Sequence, residues 1–159
     1  MLKPFLVVVA IGTGIGLMMP ASQAPADTPP LPAPRTGPPP AEVRLQRESN
    51  GHFFVHGEVN GQIARFVVDT GASMVALTVE DAERLGVKFD PADFEIVGTG
   101  ASGAVRGQMV ELDRVIVEGR EVTQVSGAVL EGLEVSLLGQ SFLSRIGSVQ
   151  MSGDVMILQ

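Results

Sequence analysis

A single carboxylate stands where a buried strand is predicted to end. Asp69 follows three consecutive apolar residues, 66–68, and precedes Thr70 and Gly71. An apolar run is typical of a buried strand, and glycine adopts backbone angles that other residues avoid, so the chain is predicted to turn at an acid. This turn alone leaves two interpretations open. The carboxylate either does chemistry at the edge of a core or hydrogen-bonds its own turn, as Asp often does.

Other catalytic chemistries have weaker support. The sequence has no cysteine, no nucleophile elbow and no helical His-Glu-X-X-His pair, so hydrolysis by Ser, Cys or zinc is poorly supported. His52 and His56 are the only histidines and would share one face of a strand, but no third ligand is apparent nearby. We therefore predict neither a metal nor a cofactor.

The glycine-rich segment 98–103 formally matches the dinucleotide-binding fingerprint. That fingerprint binds pyrophosphate only where a helix follows the loop. Residues 104–119 instead alternate between apolar and polar types and include Gly107, which predicts a strand. The segment is therefore predicted to be the tip of a hairpin, and nucleotide binding is not expected.

Composition predicts one globular domain rich in β-structure. Of 159 residues, 45% are hydrophobic, 19 are glycine, and neither Trp nor Tyr occurs. This balance favours a turn-rich β domain over a helical one. The formal net charge is −7, and the acids are spread along the chain. Nucleic acid is not expected as a partner, because phosphate binding calls for clustered Lys and Arg.

The N-terminus predicts export. Residues 1–26 carry one charge, Lys3, then an apolar run and small residues after Pro20, which is the pattern of a signal peptide or membrane anchor. The apolar run is shorter than the roughly 20 residues that span a bilayer comfortably, as is typical of a signal peptide. Two alternatives stay open, namely removal of this segment by cleavage and its retention as a membrane anchor. Residues 27–41 are predicted to be a Pro-rich linker. The domain at 42–159 is then expected outside the cytoplasm, with membrane contact only through an uncleaved N-terminal segment.

Short apolar runs separated by glycines predict the strands of this domain. They fall at 43–48, 52–59, 62–69, 94–97, 105–117, 120–130, 135–139, 148–151 and 155–158. Asn60-Gly61 is a favoured hairpin turn, so Asp69 is predicted at the end of a hairpin's second strand. A helix is predicted after the hydroxyl cap Thr78, ending before Gly86, and a second short helix at 140–145.

Three features in this order resemble the retropepsin-like aspartic proteases. They are an Asp-Thr-Gly-Ala turn, a glycine-rich hairpin tip, and two apolar residues before a glycine, all within residues 57–158. The N-terminus is similar to that of the exported or membrane-anchored single-lobe bacterial members. The resemblance implies an all-β fold, a closed, barrel-like acid-protease lobe with one or two short helices.

The resemblance also implies roles for particular residues. Asp69 is the expected catalytic acid, in an active-site turn with Thr70, Gly71 and Ala72. A flap that closes over the substrate would include Gly98, Gly100, Ser102 and Gly103. A strand that braces the turn would include Leu137, Leu138 and Gly139. The flap has none of the aromatic residues of pepsin-type flaps.

Peptide hydrolysis by carboxylates needs two of them, one to accept a proton from water and one to donate a proton to the carbonyl oxygen. The sequence contains one Asp-Thr/Ser-Gly turn, and neither Asp113 nor Asp154 lies in such a turn. The second Asp69 must then come from another copy, which predicts a two-fold symmetric homodimer. By resemblance, Thr70 would hydrogen-bond across the axis, and the terminal strands, including 155–158, would help form the interface.

The leading hypothesis is an exported aspartic endopeptidase that cleaves extended segments of envelope proteins. Its expected location is the bacterial periplasm or cell envelope, either free or anchored in the inner membrane. The alternative is a non-catalytic module of the same fold that binds peptides or partner proteins. A third hypothesis, a structural envelope domain without a peptide site, predicts no dimer with a central cleft.

Overall fold

The computed structural model describes residues 42–100 and 103–159. The predicted signal peptide or anchor at 1–26 and the Pro-rich linker at 27–41 lie outside these residues. Across the described part of the chain, no helix has both the length and the apolar character needed to cross a membrane.

The described residues form ten strands and two short α-helices, with one 3₁₀ turn at Pro91–Asp93. In chain order they are β1 Val43–Gln46, β2 Phe54–Val59, β3 Gln62–Val68, β4 Val75–Thr78, α1 Val79–Arg84, β5 Glu95–Gly100, β6 Gly103–Val117, β7 Arg120–Leu130, β8 Leu137–Leu138, α2 Gln140–Leu143, β9 Val149–Ser152 and β10 Val155–Leu158. The predicted all-β class with one or two short helices is confirmed.

Six strands pair in a closed ring. Their order is β2–β3–β8–β4–β7–β6, and β6 pairs back with β2. Every strand of the ring contributes to one buried apolar cluster, with Val59, Phe66, Leu77, Leu112, Val125 and Leu138 among its members. The closed lobe predicted from the sequence is confirmed as this ring of strand pairings around a core.

The longest strand, β6, belongs to both the ring and a projecting hairpin. Its first residues pair only with β5, which lies outside the ring, and pairing with β7 begins at Gly107 opposite Leu130. Gly107 also lies opposite Glu95 of β5. The β5–β6 hairpin therefore extends directly from the wall of the ring. Residues 101–102, between β5 and β6 in the sequence, lie outside the described residues, and one of them is the predicted flap residue Ser102.

The terminal strands form a separate three-stranded sheet in the order β1–β10–β9. β10 is central, with β1 on one edge and β9 on the other, both antiparallel. A role for residues 155–158 in a dimer interface stays a prediction. Since both backbone edges of β10 are occupied, such a role would rest on its side chains or on the outer edges of β1 and β9.

Local sequence accounts for the turns that lead to Asp69 and away from it. Asn60 and Gly61 have positive φ angles of 50° and 88°, and they close the β2–β3 hairpin with Val59 opposite Gln62. After the site, the Thr78 hydroxyl accepts the N–H of Asp81 at 3.0 Å and caps α1. Both features were predicted from the sequence.

Candidate active site

Asp69 lies directly after β3, where β8 runs parallel to the end of that strand. Val67 lies opposite Leu137, and Val68 opposite Leu138. The backbone N–H of Asp69 donates to the carbonyl of Leu138 at 3.1 Å. The predicted bracing pair therefore contacts the candidate acid through a main-chain hydrogen bond.

The carboxylate of Asp69 also stabilises its own turn. Its Oδ1 accepts the N–H of Gly71 at 2.9 Å, and its carbonyl accepts the N–H of Ala72 at 3.3 Å. A Cβ added at Gly71 would lie 3.3 Å from Oδ1, so glycine leaves room beside the acid. Asp69 remains partly exposed. The two interpretations of the turn are thus compatible, because one carboxylate oxygen bonds the turn while the side chain faces solvent.

The first residues of α2 hold the loop that follows the acid. The N–H groups of Gln140 and Ser141 donate to the carbonyls of Ala72 and Ser73 at 2.9 and 3.0 Å. The side-chain amide of Gln140 donates to the carbonyl of Thr70 at 2.9 Å. The turn is therefore fixed by β8 on one side and by α2 on the other. Sequence reasoning identified the strand but not the role of Gln140.

Gly139, between β8 and α2, lies against the same loop. A Cβ added at this position would come within 2.2 Å of the carbonyl oxygen of Met74 and 2.8 Å of that of Ala72. Both neighbours are backbone atoms, which cannot move without moving the turn. Gly139 is therefore required by close approach, not by an unusual backbone angle.

A buried hydroxyl just before β8 links this part of the chain to α1. The side chain of Ser136 is fully buried, donates to Asp81 Oδ2 and accepts the N–H of Thr78 at 3.2 Å. Asp81 also pairs with Arg84. Sequence reasoning missed this network, because Ser136 and Asp81 lie 55 positions apart. The available signal was a polar residue inside an apolar run, which is costly to bury without partners.

An open cleft of about 970 Å³ begins at the Asp69 turn. Its lining also includes the β5–β6 hairpin, the end of β7 and the loop after β7. The cleft brings together these predicted site residues: Asp69, Gly71, Ala72, Gly98, Gly100, Gly103 and Leu137. Thr70 is exposed beside the turn and does not line the cleft, whereas Leu138 and Gly139 are buried behind it.

The alternative sites considered in the sequence have different surroundings. His52 precedes β2 and packs edge-on against Phe54 with ring centroids 6.5 Å apart, and both histidines are exposed. Within residues 42–100 and 103–159, no group of three or more His, Cys, Asp or Glu side chains could hold a metal ion. The glycine-rich segment is followed by β6, so the helix that a dinucleotide fingerprint requires is replaced by a strand.

An acid-bearing turn, braced by a parallel strand and joined through a cleft to a glycine-rich hairpin, defines an acid-protease lobe. A family model described as gag-polyprotein putative aspartyl protease matches residues 55–145. The chain belongs to this family of retropepsin-like aspartic proteases.

Two bacterial proteins show the similarity in sequence. An uncharacterized protein of Rickettsia prowazekii (strain Madrid E) is 36% identical over 118 residues, which are 74% of this chain and 51% of that protein. An uncharacterized protein of Sinorhizobium sp is 39% identical over 123 residues, 74% of this chain and 52% of that protein. The chain thus spans about half the length of these relatives.

Two solved structures show the similarity in fold. A retropepsin-like aspartic protease from Rickettsia conorii superposes with a TM-score of 0.63 at 36% identity, covering 74% of this chain and 90% of that one. EIAV protease, complexed with an inhibitor, superposes with a TM-score of 0.53 at 19% identity, covering 66% of this chain and 97% of that one. The second match supports the fold alone.

Proposed function

We propose that this protein is an aspartic endopeptidase whose active site is completed by two copies of the chain. The observation that supports this most directly is the position of Asp69, which lines an open cleft in a fold whose family is that of aspartic proteases. Each chain would supply one Asp69, and the two carboxyl groups would meet on a two-fold axis.

The other acids of the domain are poorly placed to be the second catalytic group. Glu131 lines the cleft, but one of its oxygens is already engaged by Arg106 at 2.9 Å. Asp113 is exposed on β6, and Asp154 pairs with Arg47 at 3.2 Å in the β9–β10 turn. Neither of these two lines the cleft. A second Asp69 is the simplest source of the missing group.

The chemistry follows from two carboxyl groups held about 3 Å apart, which share a single proton because both cannot ionise at that distance. The ionised Asp69 accepts a proton from water as the water oxygen bonds to the scissile carbonyl carbon, and the protonated one donates to the carbonyl oxygen. The C–N bond then breaks as the leaving nitrogen takes a proton from the pair. Gly71 leaves space beside the acids. An extended peptide would pair its backbone with the strands around the cleft, and pockets for alternate side chains would give specificity.

We further propose that the enzyme acts on envelope proteins outside the cytoplasm. The support is the export pattern of residues 1–26, followed by a linker in which proline is frequent. Such an arrangement would hold the domain beyond the membrane or release it into the periplasm. Comparing the amounts of protein in periplasmic, membrane and cytoplasmic fractions tests this location.

A chain-mixing experiment tests the need for two copies. Equal amounts of wild-type and Asp69→Asn chains, allowed to exchange, should retain about a quarter of the wild-type activity at fixed total protein. Random pairing leaves about a quarter of the dimers with both acids, and a mixed dimer with one carboxylate should be nearly inactive. A self-sufficient monomer would retain about half, because its activity would follow the wild-type fraction.

Exchange has to be demonstrated in the same sample, because dimers that never exchange chains would also retain about half. Chains carrying two different affinity tags, mixed by partial unfolding and refolding, report exchange when one tag recovers the other. A retained activity near half, with exchange shown, would exclude the shared site even though the fold is that of an acid protease.

The β5–β6 hairpin is expected to act in turnover. Gly103 has a φ of 111°, which valine resists, so Gly103→Val should lower kcat/KM by roughly threefold or more. Because Gly103 is exposed and outside the buried core, the unfolding free energy should fall only by the backbone strain, about 1–3 kcal/mol. Gly153→Val is the matched control, since Gly153 also has a positive φ, 57°, but lies in the remote β9–β10 turn. Equal kinetics in all three proteins would show that the hairpin tip is only a connection.

A further inference from the structure

The cleft combines a largely uncharged lining with one ion pair. Among its described lining residues, three carry a charge, namely Asp69, Arg106 and Glu131. The others are glycine, apolar residues or residues with a hydroxyl group. Charge discrimination between substrates would therefore depend on Arg106 and Glu131, since Asp69 is assigned to the chemistry.

Arg106 is held in place by several contacts. Its Nη1 donates to Glu131 Oε2 at 2.9 Å, and its Nη2 donates to the carbonyl of Phe94 at 3.1 Å. Its own carbonyl accepts the N–H of Glu131 at 2.9 Å. Both terminal nitrogens of the guanidinium are thus engaged, although the side chain is 53% exposed.

These contacts orient Glu131 but do not use all of the hydrogen-bonding capacity of its carboxylate. Its Oε2 accepts from Arg106 and its backbone N–H is bonded, while Oε1 has no hydrogen-bond partner within the described residues. Its side chain is 55% exposed. A carboxylate oxygen fixed in this way can accept from an ammonium or guanidinium group with little loss of conformational freedom.

We propose that Glu131, oriented by Arg106, forms a subsite that selects a Lys or Arg side chain of the peptide substrate. This inference rests on the proposed function, because it names the substrate class of the same cleft. Leu130 precedes Glu131, Leu133 follows it by two residues, and both line the cleft, so they provide an apolar surface for the aliphatic stem of a basic side chain. An acidic side chain would meet Arg106 only beside Glu131 and in the same cleft as Asp69, whose negative charges repel it.

The test uses the full chain and sets of peptides that differ at one position, with Lys, norleucine or Glu placed in turn along the sequence. At one position the wild-type protein should cleave the Lys peptide with a kcat/KM roughly fivefold above that of the norleucine peptide, as for a partly exposed ion pair. Glu131→Gln should reduce this ratio to about one. Glu134→Gln is the matched control, because Glu134 is on the same loop but does not line the cleft. It should leave the ratio unchanged.

The outcomes separate this inference from the proposed function. Three results would overturn the subsite while leaving the proposed protease function standing. The wild-type protein could cleave the peptides without preferring Lys, or it could prefer Glu. Alternatively, the Lys-to-norleucine ratio of kcat/KM could be the same in the Glu131→Gln protein. If the wild-type protein cleaves no peptide, the proposed function fails. The subsite is then tested by the binding of the same peptides to the Asp69→Asn protein and to its Glu131→Gln derivative. A Lys preference that Glu131→Gln removes would support the subsite, and an unchanged preference or no binding would overturn it.

Discussion

Asp69→Asn is expected to lower the rate of peptide hydrolysis by about a thousandfold or more while leaving the fold intact. The amide cannot take a proton from water, and in the proposed dimer two amides could not share one. The oxygen of Asn can still accept the N–H of Gly71, which Asp69 Oδ1 accepts at 2.9 Å, so the turn should keep its shape. Loss of activity without loss of structure would therefore identify a chemical role.

The measurement is kcat/KM on a cleaved peptide, together with urea unfolding of the parent and the variant. Asp113→Asn is the matched control, because it makes the same chemical change on the exposed face of β6, outside the cleft. It should retain full activity. An Asp69→Asn protein as active as the parent would contradict the catalytic assignment. A wild-type protein that binds peptides in the cleft without cleaving them would instead support the non-catalytic module.

Gly139→Ala is expected to destabilise the domain by about 3 kcal/mol or more, which is a large share of the roughly 5–15 kcal/mol typical of a folded domain. The added methyl group would lie 2.2 Å from the carbonyl oxygen of Met74, far inside contact distance. This steric clash can be relieved only if β8 or the loop after Asp69 moves. Any variant molecules that fold should thus have a displaced turn and little activity.

Urea unfolding of the two proteins measures this effect. Gly98→Ala is the matched control, because Gly98 lacks a positive φ and a Cβ there would meet no atom within 4 Å. The control should unfold within about 1 kcal/mol of the parent. A Gly139→Ala protein as stable as the parent would show that the close approach of the two backbones is relieved at little cost.

The hairpins of the fold could be predicted because their turns have local signals. Asn60-Gly61 and Glu118-Gly119 both have positive φ angles at the two turn residues, and glycine at the second position marks such turns in sequence. Strand β4 was not predicted. It pairs in parallel with β7, with Val75 opposite Gly127, and with β8 on its other side, so no neighbouring turn marks its limits. Strand β8 is also shorter than the predicted 135–139, because Gly139 already caps α2.

The candidate site likewise contains some features that the sequence predicts and others that it does not. The acid turn, the glycine-rich hairpin and the apolar pair have local sequence patterns, and the structure places them around or directly behind one cleft. The contacts of Gln140 with Thr70 and of Arg106 with Glu131 depend on strand pairing between distant segments. In the sequence, these side chains are indistinguishable from ordinary exposed polar residues. Register, which is set by the whole ring, decides which of them reach the site.

The continuity of β6 has a mechanical consequence for the cleft. Gly107 lies opposite Glu95 on one side and Leu130 on the other, so β6 passes from the hairpin into the ring without an intervening loop. Loops are the usual place where a hinge rotates, and the β6 side of this hairpin has none at its base. Moving the hairpin away from the cleft would therefore bend β6 and its pairing with β7. The energy of this bending rises with the distance that the hairpin moves. In the proposed peptidase, a bulky peptide segment would therefore have to bend the β6–β7 pairing further than a slender one, and the stiffness of the ring would limit the size of the segment that enters.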